Sequence, residues 1–291
     1  GGLTVESKGG GPGLIEQHLK LAQQNGIEIR YGVRGLSLIY DGKTVKGLKV
    51  KTNGQYEDIE CKAVIIACGG FESNPEMRTR YMGPGWELAK VRGTPYNTGD
   101  GISMALAIGA SSFGNWSGGH AVQWDYNAPE FGDLSVGDNF QKHSYPWGIL
   151  VNATGRRFVD EGADFRNYTY AKYGAVVLRQ PGNFAWQVFD GKIVPMLRAE
   201  YRIKRVSKVS ANTIEEFAHK LEGVNPEAFL DEIKKYNAAV KKDVKFDPNI
   251  KDGRGTVGLA INKSNWANTI EEPPFEAYQV GCGLSFTFGG V

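Results

Sequence analysis

The order of periodic segments along the chain predicts an α/β fold of the α+β kind, divided into two domains. Three observations carry this. The first third alternates a helical period with period-2 and fully apolar runs, as a sheet with a packed helix does. A glycine- and aromatic-rich stretch beginning at Gly118 then breaks the rhythm, and a hairpin pattern and two capped helices follow it. The chain, at 291 residues, is long enough to build about two cores.

Gly9, Gly10, Gly11 and Gly13 lead into residues 14–25, where Ile15, Leu19 and Ala22 fall at helical spacing and Gly26 supplies a stop. This cluster is not a dinucleotide-binding loop. No strand pattern precedes it, and Leu14 stands where the third glycine of GxGxxG belongs. Ile27, Ile29, Tyr31 and Val33 alternate with polar residues or glycine and predict a half-buried strand. Residues 36–40, the turn Asp41-Gly42 and residues 45–52 predict a hairpin. Residues 63–68 form an unbroken apolar run closed by Gly69 and Gly70, the pattern of a buried strand in a parallel sheet whose end admits a group close to the backbone. Residues 102–108 predict a short helix, with Thr98 or Asp100 as its cap and Gly109 as its end.

The stretch 148–170 is the most informative. The apolar run Ile149, Leu150, Val151 is followed by the turn Asn152-Ala153-Thr154-Gly155, with Gly155 placed for a positive φ, and by a second run around Phe158 and Val159. Where that second strand should end, Asp160, Glu161, Asp164 and Arg166 gather. Acids and an arginine at a strand end suit a charged substrate; they equally suit a solvated hairpin end with surface ion pairs. Residues 185–189 read as a strand. Thr213 and Glu216 form a capping box ahead of Phe217 and Leu221, and Gly223 ends that helix. Asn225-Pro226 opens another, with Phe229, Ile233, Tyr236 and Val240 on one face. Both helices read as core-packing elements without chemistry. A polar loop, 245–256, carries Arg254; Pro273-Pro274 turn the chain into a final strand at 278–280, and Ser285, Thr287 and two glycines lie near the end.

Composition narrows the classes. Hydrophobic residues make up 41% and charged residues 23%, with a net charge of +2, so no nucleic-acid partner is expected. Three cysteines without metal-ligand spacing predict neither a metal site nor a disulfide framework and favour a cytoplasmic setting. No apolar run is as long as a membrane span, and there is no HExxH, paired CxxC or nucleophile elbow.

The run ILVN–TGRRFVDE with an arginine shortly after it resembles the substrate domain of the fumarate reductase and succinate dehydrogenase flavoproteins. DEGADFRNYTYAKYG and FTFGGV are most similar to the tricarballylate dehydrogenases of that superfamily, and the similarity runs along almost the whole chain. The resemblance implies part of a two-dinucleotide-binding FAD domain at 1–117, an α+β substrate or capping domain at 118–276, and a return strand at 277–291. It implies FAD contacts from Val33 near the adenine, from Ala67, Gly69 and Gly70, and from Thr98, Gly99 and Asp100 against the flavin. Substrate contacts fall to His120, Ser285, Thr287 and Arg254. Arg166 takes the position of the arginine that shuttles the proton. Because a free arginine has a pKa above about 12, Glu161 and Asp164 are expected to relay for it, unless Arg166 only binds a carboxylate.

Three departures qualify the match. Ala121 and Val122 follow His120 where the family carries Pro-Thr. Ser285 replaces the histidine of His-x-Thr-x-Gly-Gly, which implies an acid bulkier than fumarate. The GxGxxG segment belongs upstream of Gly1 and the closing flavin segment downstream of Val291, so a central piece, carrying little FAD and inactive alone, is expected. The implied activity is oxidation of a CH–CH bond in a small polycarboxylic acid, of the tricarballylate to cis-aconitate type, with FAD and an electron-acceptor protein or quinone-linked partner. A non-catalytic carboxylate-binding module is one alternative. A steroid-type flavin dehydrogenase, suggested by Trp116, Trp124, Tyr126 and Trp147, is another.

Overall fold

The computed structural model describes residues 7–291 and divides into two compact units, Gly1–Ile66 and Ala67–Val291. In the first, helix α1 (Gly10–Gln24) precedes a three-stranded antiparallel sheet of β1 (Val33–Tyr40), β2 (Val45–Thr52) and β3 (Gln55–Glu60) in that order. The expected hairpin is β1–β2. The third strand is an addition, joined to β2 through Asn53 (φ 50°) and Gly54 (φ 85°), the Asn-Gly pair that a tight hairpin turn favours.

Two expected strands are absent. Residues 27–32 and 63–68 carry strand-like patterns but form no ladder, because no strand lies alongside them among the described residues; Ile29 and Ile65 are consequently exposed, Ile65 at 91%. A pattern of apolar residues selects a strand only when a neighbour takes its backbone hydrogen bonds.

The second unit contains, in chain order, α2 (Pro75–Met82), β4 (Lys90–Val91), α3 (Asp100–Ala107), β5 (Phe113–Asp125), β6 (Ile149–Val151), α4 (Arg166–Leu178), β7 (Ala185–Phe189), β8 (Lys208–Ala211), α5 (Ile214–Lys220), α6 (Pro226–Ala239) and β9 (Phe275–Gly290). One six-stranded sheet is built around β9, which is much longer than the 278–280 strand expected. Its first half pairs antiparallel with β7 and β8, its second half antiparallel with β5, and Gly283 and Leu284 pair parallel with β4. β6 adds to the far edge of β7. The sequence-based division at 117/118 falls inside β5, and that at 276/277 inside β9. β5 crosses the first because it pairs with the second half of β9, and β9 crosses the second because its first half pairs with β7 and β8.

The hairpin at 149–159 forms only in part. Gly155 has φ 73°, as expected, but the two runs share a single bridge, Val151 to Arg157, and β6 takes β7 as its ladder partner. Caps at α5 and α6 follow the sequence: the Thr213 hydroxyl accepts from Glu216 N at 3.3 Å and Asn225 Oδ1 from Ala228 N at 2.9 Å. The cap of α3 does not. Gly99 occupies that position with φ 80° and no side chain, while the Thr98 hydroxyl donates to Asp100 Oδ1 at 3.1 Å. Two cores result. Trp186, Val188, Phe217, Phe229, Ile233 and Phe275 join β7 and β9 to α5 and α6. Phe71, Met77, Ile102, Ala121 and Leu284 join α2 and α3 to β5 and β9. Each such large side chain, removed from water, contributes about 1.5–3 kcal/mol.

Candidate active site

A bulge in the β5–β9 ladder creates the first part of the site. His120 lies opposite Phe286, but the next pair is Ala121 with Leu284, so Ser285 is the extra residue on β9. A bulge re-aims side chains locally. Here the Ser285 hydroxyl reaches His120 Nδ1 at 3.0 Å, and the imidazole stacks on Phe286 with centroids 4.9 Å apart. Arg92, directly after β4, donates from Nη1 to Ser285 Oγ at 3.2 Å. Its Nε and Nη2 hold Asp138 in a two-pronged pair at 2.6 Å each, which fixes the guanidinium.

Helix α4 supplies the second part. It lies so close to β5 that a side chain at Gly174 would meet Val122 O at 2.3 Å. This approach brings Tyr170 edge-on to His120, 5.0 Å between centroids. Arg166, the first residue of α4, places its guanidinium carbon 5.8 Å from the Tyr170 ring. It is half-buried and, among the described residues, its guanidinium makes no hydrogen bond or ion pair.

The third part is His143. Its neighbours pin it: Lys142 N donates to Gln123 O, Lys142 Nζ forms a fully buried pair with Asp125 at 3.3 Å, and Ser144 N donates to the Tyr201 hydroxyl at 2.8 Å. His143 is 2% exposed, lies 5.1 Å edge-on from Tyr170, and neither ring nitrogen has a partner in the chain. Burial, and then the positive charge of Arg166, pushes its pKa down to about 3. Burial followed by the Arg92 charge also lowers that of His120. The His143 imidazole is therefore neutral at neutral pH, and the neutral form of His120 is favoured as well.

Several expected site residues lie elsewhere. Glu161 is fully buried and accepts from Arg157 Nε at 3.0 Å, Arg157 Nη2 at 2.6 Å and Leu150 N at 2.8 Å. Asp164 accepts from Phe165 N at 2.8 Å and pairs with Lys251 at 3.5 Å. Neither is within ion-pair reach of Arg166, so the structure does not assemble the expected relay. The Arg254 guanidinium donates to the carbonyls of Ala267, Lys241, Lys242 and Val244, tying a loop together. Thr287 Oγ1 accepts from Phe71 N at 3.1 Å. A cavity of about 460 Å³ beside Arg156 and Arg157 offers no free cation, since these arginines already pair with Asp231, Glu232 and Glu161.

The residues expected at a cofactor form a second cluster, Val33 excepted, which belongs to the first unit. Gly99 N donates to Gly70 O at 3.1 Å, Ser73 N to Asn97 O at 2.9 Å and Asn74 Nδ2 to Thr98 O at 3.0 Å, so residues 69–74 and 97–100 are laced side by side. Thr287 ties the same segment to β9.

Compared with known proteins, residues 4–291 match the model of the family described as FAD binding domain. The chain belongs to that family. A probable fumarate reductase of Shewanella frigidimarina is 30% identical over 98% of the chain and 44% of its own length. A 3-oxosteroid 1-dehydrogenase of Mycobacterium tuberculosis is 26% identical over 92% of the chain and 51% of its own length. The open conformation of a flavocytochrome c3 fumarate reductase superposes with a TM-score of 0.73 at 25% identity, covering 98% of this chain and 46% of that one. The chain thus spans about half the length of the relatives it matches, and the fumarate reductase flavoprotein superfamily is its wider group.

FAD is the cofactor of this family, and the 67–74 and 97–100 segments fit its flavin end. Ala67 and Gly69 are exposed, with no ladder covering their backbone. Glu72, 2% exposed, receives Asn97 Nδ2 on one oxygen at 2.5 Å and leaves the other without a partner. A buried acceptor of this kind suits an N–H or hydroxyl donor and repels a phosphate.

Sequence reasoning did not single out Arg92 or Tyr170, and it left His143 without a role. Arg92 belongs to no motif, and only β4–β9 pairing brings it to Ser285. Tyr170 carried a usable signal, since it stands four residues after Arg166 and therefore on the same face of a helix. Among the described residues, no group of metal-ligating side chains occurs, and no helix is long and apolar enough to cross a membrane.

Proposed function

We propose that this chain supplies the substrate site of an FAD-dependent oxidoreductase that acts on a CH–CH bond of a small polycarboxylic acid. The observation that carries the reading is Arg166, a half-buried guanidinium without an anion, set over Tyr170 and near the neutral imidazole of His143. A cation withdrawn from water without a counter-charge favours binding an anion, and the planar fork of arginine matches a carboxylate. His120 serves a second carboxylate. With Arg92 donating to Ser285 Oγ, the hydroxyl proton can go to Nδ1, which leaves an N–H on Nε2 for the substrate. FAD, when bound against residues 67–74 and 97–100, supplies the hydride chemistry. Arg166 acts here as a cation that holds and orients the acid, since neither Glu161 nor Asp164 reaches it to carry a proton away. Ser285, smaller than a histidine, leaves room for a third carboxylate, which favours a tricarballylate-like acid over fumarate.

The steroid-type reading has one observation in its favour: Phe286 and Phe288, 48% and 47% exposed, offer an apolar wall beside His120. A substrate panel on the full-length, FAD-loaded protein decides between them, with succinate, fumarate, tricarballylate and a 3-oxosteroid. Turnover of the acids, lost by at least about a thousandfold in Arg166→Lys while the flavin spectrum is kept, is the expected result. Wild-type-like turnover in Arg166→Lys removes Arg166 from the site.

A further inference from the structure

Tyr170 is one helical turn beyond Arg166 on α4, and three groups of the site converge on its ring. The His120 imidazole meets it edge-on at 5.0 Å, His143 at 5.1 Å, and the Arg166 guanidinium carbon lies 5.8 Å from the centroid. Yet the half-buried Tyr170 makes no hydrogen bond through its hydroxyl among the described residues. The hydroxyl is thus left free to meet a group that enters the site. Beside it stands a clear anomaly, the His143 side chain, 2% exposed with both nitrogens unpartnered. Buried polar groups of a native chain are satisfied with few exceptions, and an exception calls for a ligand or a water. An unsatisfied buried imidazole against this ring, next to a guanidinium without an anion, calls for a ligand that brings acceptor oxygens and negative charge.

Resting on the polycarboxylate reading, we propose that Tyr170 is a further substrate-contacting residue, whose hydroxyl donates a hydrogen bond to the carboxylate held by Arg166. A phenol suits this position because it adds a donor without adding a charge that would repel Arg166. Its ring, wedged by the two imidazoles, fixes where the hydroxyl points, so little rotamer freedom is lost when the acid binds.

The test compares wild type with Tyr170→Phe in the full-length, FAD-loaded protein. Turnover of succinate and tricarballylate, the melting temperature and the flavin spectrum are all measured. Phenylalanine keeps the ring and its three contacts and removes only the hydroxyl. The expected result is a roughly 10- to 100-fold fall in kcat/KM, the loss that a hydrogen bond to a charged group represents, expressed mainly as a higher KM. Melting temperature and flavin content stay at the wild-type values. If wild type turns over these acids and Tyr170→Phe matches it, the Tyr170 assignment is overturned and the polycarboxylate reading stands. A wild type that turns over none of them overturns both. A Tyr170→Phe protein that loses flavin or melts well below wild type also overturns the assignment, because the hydroxyl then acts in the fold.

Discussion

Replacing Glu161 with glutamine separates two roles that the sequence cannot. As a proton relay, Glu161 would be needed for turnover and not for folding; as half of a buried ion pair, the reverse. The structure gives the size of the second effect. The Glu161 and Arg157 side chains are 0% and 1% exposed, and the carboxylate accepts from Nε, Nη2 and Leu150 N at 3.0, 2.6 and 2.8 Å. Glutamine keeps one acceptor oxygen but turns an NH2 toward a guanidinium donor. The change also removes the principal favourable charge for Lys263, a fully buried ammonium that burial pushes down to about 8 despite Glu161, and that donates to Gly148 O. Arg157 is then left without its carboxylate, and Lys263, pushed lower still, gives up its proton near neutral pH. Breaking a buried pair in this way costs about 3–5 kcal/mol. For a chain of this size that is a fall of roughly 10 °C in Tm. Thermal melts of wild type and Glu161→Gln, followed by circular dichroism, measure it. Both are run at low and at high salt, because a buried pair is little screened. A Tm within about 2 °C of wild type, together with lost turnover in the flavin-loaded protein, would refute the structural role and restore the relay.

Three further outcomes follow from the same geometry. His143 has a folded-state pKa near 3, far below the ordinary histidine value, so the unfolded chain binds the extra proton. Its contribution to stability is therefore complete above about pH 6.5 and falls by about 1.4 kcal/mol per pH unit below it. Urea unfolding of wild type should lose about 2 kcal/mol more than His143→Gln between pH 7 and pH 5; parallel profiles would remove His143 as the cause. Gly155→Ala should cost at least about 2 kcal/mol, since φ is 73° and the new Cβ would meet Phe229 N at 2.6 Å; an unchanged denaturation midpoint would contradict this. Asn225→Ala should cost about 1 kcal/mol through loss of the α6 cap, and Asn225→Ser should recover most of it.

The sequence by itself determined what is local. Period and capping residues placed α1, β1, β2, β7, α5 and α6, and the turn chemistry of Gly155 gave its positive φ. Motifs that survive in short runs pointed to the flavoprotein superfamily, to Arg166, and to His120 with Ser285. Tertiary structure decided everything that depends on a neighbour. Residues 63–68 have the composition of a buried strand and are not one, because no strand lies beside them. Residues 119–125 lie in the glycine- and aromatic-rich stretch that breaks the rhythm and yet form a strand, because β9 pairs with them. Glu161 and Arg166 lie five residues apart in sequence, yet one faces Arg157 in the core and the other opens α4 over Tyr170. Arg92, His120, His143, Tyr170 and Ser285 come from five separate segments, brought together by a bulge in one ladder and the close seating of one helix. Local sequence sets the free energy of a turn or a cap. Only the folded chain sets which charges meet, because that depends on distances between segments far apart in sequence.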